Sequence, residues 1–201
     1  MLVDTLHRQA QNHLQQVIGG TVAGILAAIT LDRSQQVRDG YALATSRAVS
    51  AGQWQAAQLA AAYIGAYAPP VRDLDLAAAL DLATPESPNS VVGLLRLWTL
   101  LDDGAEEEEA RDAAGSYAGG LASADLQGAT RSGLDEAASA AGREPRWRLE
   151  PNPGACEWCR FIADTGPRYL DASSVPVPHA AGGEHPGGAC LCTPAPDFEE
   201  E

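Results

Sequence analysis

The positions Leu2, Leu6, Gln9, His13 and Val17 fall on one helical stripe, and Val37, Tyr41, Ala44 and Ala48 repeat the spacing further along. β-branched alternation is missing from the first 145 residues, so helices alone are predicted there. A first helix is expected from about Val3 to Thr30. A second follows from Asp32 or Ser34 as N-cap to about Ser50, where Gly52 reads as a stop. A third covers Gln53 to Ala68 and ends at Pro69 and Pro70, which lack the amide donor that a helix needs. Three antiparallel helices result. Asp73 to Ala83 offers a short helix at best, residues 84–89 a loop, and Ser90 a cap for an apolar helix to Leu101. The acidic run Glu106 to Glu109 sits where the free amides of a helix start favour negative charge. It reads as a solvated first turn rather than a metal or partner site. The helix beyond it, weakened by Gly115, Gly119 and Gly120, is expected to continue in pieces to about Ala141, with Gly142 and Pro145 closing it.

The texture then changes, since nine of the 13 prolines lie at or after Pro145. Apart from a turn or two of helix near Cys156 to Ala163, little regular structure is expected there. The predicted fold is therefore mainly α. Residues 1–145 form a helical bundle body, residues 146–196 a small Cys/His module and residues 197–201 an acidic disordered tail. Composition adds limits. All 13 basic residues are arginine, against 27 Asp and Glu, and the net charge of −14 discourages a phosphate backbone. The longest apolar candidate, Val17 to Leu31, contains three glycines, so no membrane span is expected. The N-terminus lacks the basic and apolar regions of a secretion signal, and a reducing cytosol is the expected site of synthesis.

All four cysteines lie beyond residue 155, in the pattern Cys156-x2-Cys159, then 25 residues, His185-x4-Cys190-x-Cys192. A Zn2+ ion takes about four soft or borderline ligands in a tetrahedron, and two thiolates two residues apart reach one ion from a single turn. A short Pro/Gly-rich segment buries little apolar area, so a metal crosslink would supply what its core lacks. Disulfides become an alternative in an oxidising setting, and a redox pair would be expected near a βαβ pattern that this chain does not show. Structural zinc ranks first. Cys156, Cys159 and Cys190 lead the candidates, with Cys192 and His185 competing for the fourth place. His179 reads as a surface histidine. Glu184 beside His185 raises the idea of a catalytic zinc, but a thiolate-rich site is ordinarily filled.

The segment WRLEPNPGACEWCRF at residues 147–161, Gly166 with Tyr169, and HPGGACLCTPAPDF at residues 185–198 together resemble the MuF-like minor head proteins of tailed bacteriophages, the phage head morphogenesis proteins, in their actinobacteriophage form. The corresponding features are a Trp147-Arg148 strand, the Pro153 to Cys159 knuckle, a Gly166 to Tyr169 turn, and His185, Cys190 and Cys192 followed by Pro196 and Phe198. The family usually places two residues where four separate His185 from Cys190. More loosely, Gly52 to Tyr67 resembles the Tyr-rich end of a family helix, and Arg131 stands on the helix preceding the knuckle. The resemblance implies a low-copy virion component inside the capsid or at the portal vertex. Its implied partners are the portal and other head proteins, in proximity to packaged DNA, with no membrane and no small-molecule substrate. Related proteins often carry the label capsid maturation protease, a competing expectation.

The residues lend that label little. His7 and His13 are six apart on the first helix and so on different faces, and no Gly-x-Ser-x-Gly elbow occurs. A third reading is a zinc-dependent nucleic-acid module, since Arg143, Arg146, Arg148, Arg160 and Arg168 accompany Trp147 and Trp158. Against it, residues 151–201 hold two arginines and eight acids, a net of −6, and both tryptophans are expected to close the small core. The favoured expectation is a structural head protein without chemistry of its own.

Overall fold

Ser34 opens the longest stretch of the bundle's second helix by accepting the Val37 amide at 3.3 Å, and the chain then stays helical for 31 residues. The computed structural model describes residues 2–67, 74–143, 145–151, 155, 157–166, 169–175 and 192–197. Within them the order is α1 (Leu2–Ala28), α2 (Gln35–Gly65), α3 (Leu76–Ala79), α4 (Asn89–Asp102), α5 (Glu107–Ala140), β1 (Arg146–Glu150), α6 (Glu157–Asp164) and β2 (Thr193–Asp197). The mainly α expectation holds. No helix among the described residues is long and apolar enough to cross a membrane.

Two predicted helices are one, because Gly52 does not stop α2. A Cβ there would stand 2.8 Å from Cγ1 of Ile18 and 3.1 Å from Cδ1 of Leu126, so the glycine lets α1 and α5 press against α2. The expected breaks in α5 are likewise missing. Gly119 and Gly19 face each other across α5 and α1, with a Cβ on Gly119 only 3.0 Å from the Gly19 carbonyl oxygen. Gly133 meets the backbone of Ala57 in the same way. Glycine inside a helix costs up to about 1 kcal/mol relative to alanine, and close packing of two backbones offsets that cost. α5 thus touches α1, α2 and α4, and forms the axis of the bundle.

The stripe read on α1 points the other way from the core. Leu6 is 55% exposed and Val17 48%, and Gln9 and His13 are exposed with them. The buried face carries His7, Gln11 and Gln15 between Leu14, Val22 and Leu26. The outward stripe misleads because the larger apolar set of α1, with Ile18 and Ile25 packed beside Leu14, Val22 and Leu26, lies inward, and the glutamines on that face are paired at Gln11 and at Oε1 of Gln15. Gln11 Nε2 donates to the Ala56 carbonyl at 2.9 Å, Thr130 Oγ1 donates to Gln11 Oε1 at 3.0 Å, and Gln127 Nε2 donates to Gln15 Oε1 at 3.4 Å. Buried amides paired in this way cost little, and they fix the register of α1 against α2 and α5.

Helix ends follow from local chemistry. Asp75 caps α3 by accepting the Ala78 amide at 3.1 Å. Ser90, expected as the cap of α4, lies inside it instead, and its hydroxyl donates to the Thr84 carbonyl at 2.6 Å, tying the preceding loop down. The acidic first turn of α5 is solvated as expected, with Glu107 accepting from Arg111 Nε at 2.9 Å. Arg111 also donates to the carbonyls of Leu26, Ala27 and Ile29 at the C-terminal end of α1, where acceptors outnumber the amides of the helix. Gly142, with φ of +64°, turns the chain out of α5 toward β1.

A substitution pair tests the packing role of the glycines. Gly133→Ala should lower stability by about 1–3 kcal/mol through overpacking against Ala57. Gly128→Ala, with nothing within 4 Å of its Cβ position, should raise stability by up to about 1 kcal/mol. Urea denaturation of both variants gives the answer, and equal shifts would contradict the close-approach argument.

Candidate metal centre and its attachment to the bundle

β1 leaves α5 with alternating burial, so Trp147 and Leu149 point inward at 1% exposure each while Arg146 faces solvent. It pairs antiparallel with β2 in the register Trp147 to Pro196 and Leu149 to Pro194. The open edge of Trp147 is used as well, exchanging both backbone hydrogen bonds with Tyr169 at 2.9 and 3.2 Å. Trp147 is thus held on both sides and, as expected, closes the core. Trp158 does not, since it is 41% exposed on α6.

Cys159 and Cys192 come from the two ends of the cysteine pattern, one in α6 and one directly before β2. Their residues are 0% and 2% exposed and belong to one buried cluster with Trp147, Leu149, Ala172 and Val175. That cluster continues into the bundle through Tyr63, Ile64, Leu134 and Ala137. The tail module and the helical body therefore share apolar burial. Cys156, His185 and Cys190, the other candidate ligands, lie outside the described residues, as does His179. Among the described residues no three His, Cys, Asp or Glu side chains converge, and only two of the five candidates are among those residues.

Two residues of α5 fasten the segment leading toward residues 176–191. Arg131, 6% exposed, donates through Nη1 to the Ser173 carbonyl at 3.3 Å and to that of Val175. Asp135 accepts the amides of Ala172 and Ser173 at 2.6 and 3.1 Å. Burial pushes the Asp135 carboxyl above its usual range, and these two amides pull it back in part. Asp171 completes the turn by accepting the Ser173 hydroxyl and the Ser174 amide, both at 2.6 Å. The resemblance singled out Arg131 on the helix preceding the knuckle, whereas nothing in the sequence signalled Asp135.

A second group missed by the sequence reading joins α1 to the end of α2. Asp4 accepts from the hydroxyls of Tyr63 and Tyr67 at 2.8 and 2.7 Å, and His7 stacks flat on Tyr63 with ring centroids 4.2 Å apart. The i, i+4 spacing of the tyrosines was the available signal. Burial lowers the His7 pKa to about 4, against the weaker influence of the Leu59 carbonyl and Asp4. Burial and Asp4 push Tyr67 up to about 12. Neutral imidazole and neutral phenols result at pH 7. His7 presents its ring face to Tyr63, and His13 is exposed on the opposite side of α1, so the two do not form one site. Basic charge near β1 is also partly matched, with Arg8 3.2 Å from Glu150, and Arg148 3.7 Å from Glu150 and 4.0 Å from Asp197.

The VG15 protein family model matches residues 3–201. The chain belongs to the VG15 protein family. This is a phage-associated family of viral gene proteins, which makes the VG15 chain a phage protein. No curated protein and no solved structure matches it significantly. The match spans the bundle and the tail together, in keeping with the buried cluster that both parts contribute to.

His7 gives a signed pH dependence. Its folded pKa near 4 lies below the ordinary value of 6.5, so the unfolded chain binds the extra proton. The stability it contributes is fully present above pH 6.5 and falls as pH drops toward 4, by on the order of 3 kcal/mol. Urea midpoints across that window should fall for the native chain and fall less for His7→Phe. Parallel curves would remove His7 as the cause.

Proposed function

We propose that this phage protein is a structural minor head protein, associated with the portal and acting in procapsid assembly, DNA packaging or ejection, with a C-terminal zinc knuckle that crosslinks its tail module. The observation that carries the metal part is the meeting of Cys159 and Cys192, from opposite ends of the cysteine pattern, in one buried cluster. Two buried thiols that separate elements contribute to one cluster suit a soft tetrahedral ion. Cys156, Cys159 and Cys190, with Cys192 or His185, would hold it. Zinc bound there supplies a crosslink between α6 and the start of β2, and no catalytic step. Arg131 and Asp135 hold the backbone of Ala172, Ser173 and Val175, which precede His185 and Cys190 in the chain.

The head role rests on family membership together with the resemblance of the tail to MuF-like proteins. The protease reading gains no support from the described histidines, since His7 is buried, stacked and neutral. A nucleic-acid role is disfavoured by the acidic tail and by the carboxylates beside Arg8 and Arg148.

Native mass spectrometry of the full chain should show one added zinc, lost in Cys159→Ser and in Cys156→Ser. A bare reduced mass for the native chain would overturn the knuckle. Quantifying the protein in purified procapsids and mature heads should find it in low copy in at least one of them. Its absence from both would end the structural proposal, and capsid protein cleavage that depends on it would favour the protease.

A further inference from the structure

We propose that α1 is a self-association surface on which a second copy of this chain docks. Val3, Leu6 and Val17 are 36%, 55% and 48% exposed along its outer side. With Ala10 and His13 between them they alternate by three and four residues, and Gly20, Gly24 and Ala27 continue the same line. That is the spacing of a helix seam built to meet another helix.

Two further observations select a second copy as the occupant. From Gln9 to Leu31 there is no Asp, Glu, Arg or Lys, although the chain as a whole carries −14. Two identical acidic molecules repel over most of their surfaces, and this face lets them approach without pairing like charges. The second observation concerns Gly20 and Gly24. A Cβ at either would meet nothing within 4 Å, in contrast to neighbouring Gly19, which abuts Gly119. Helix-interior glycines without an internal contact weaken α1, and their position on the outer line suits close approach by an outside helix. There the line opens into a groove with α5, bordered by Ser116 and Gly120 and by one charge of each sign, Arg111 and Asp112. Gln15 also lines that groove at 1% exposure, and its Nε2 has no acceptor among the described residues.

A seam about 40 Å long and 10 Å wide covers about 400 Å² per copy, roughly half of a standard interface. The groove beside α5 adds to it, and a weak, reversible dimer is the expectation. Sedimentation velocity of the full chain over a concentration series tests this. The native protein should pass from monomer to dimer, more readily at high salt, because added ions screen repulsion between the acidic surfaces. Val17→Glu and Gly24→Leu should each weaken the dimer by about tenfold or more while far-UV circular dichroism is unchanged. Gly24→Leu should also hold or raise the melting temperature of the monomer, since it improves helix propensity without an internal clash. A native chain that stays monomeric throughout the series would overturn the proposal. So would a dimer indifferent to both substitutions, or one that dissociates as salt is added.

Discussion

The close approach of α5 to α1 and α2 is the constraint on which the rest of the molecule depends. Alanine buries little apolar area, so an alanine-rich bundle gains its packing by bringing backbones together rather than by interlocking large side chains. Gly19 against Gly119 and Gly133 against Ala57 set that distance. At such a separation, short side chains reach across, and the glutamines of α1 bond to α2 and α5. Directional bonds then add to the burial of Leu14, Val22 and Leu26 in fixing which face of α1 turns inward.

The tail inherits this geometry. α5 carries Arg131 and Asp135 on its last turns, and both hold the backbone of the segment that follows Tyr169. Its end turns at Gly142 and sends Trp147 into the cluster formed with Tyr63, Ile64 and Leu134. Opposite, Asp4 and His7 of α1 grip the tyrosines at the end of α2, and Arg8 of α1 reaches Glu150 of β1. The two-stranded sheet is too small to stand by itself, and its contacts with the bundle supply apolar burial that two strands lack. A metal crosslink would brace the tail internally, beside that attachment to the bundle.

Membership of the VG15 family covers the bundle and the tail in a single match, and the structure gives a physical reason for treating them together. The described thiols are buried among residues from both parts. Loss of the tail's packing would expose Ile64 and Leu134, and loss of α5 would leave Trp147 without a floor. Binding surfaces on such a molecule are then best sought on faces that this mutual burial leaves open.

The sequence by itself determined the helical class, a cap at Asp32 or Ser34, the acidic start of α5 and the change of texture near Pro145. These are local matters, decided by backbone chemistry within a few residues or by a change of composition. Only the tertiary structure decided that Gly52 and Gly119 are packing points and not breaks, that Ser90 ties a loop instead of capping α4, and that Gln11 and Gln15 are inside while Leu6 and Val17 are outside. A glycine or glutamine has the same local propensity wherever it stands. Whether it weakens or anchors a helix depends on what faces it from an element as many as 119 residues away, as Thr130 faces Gln11.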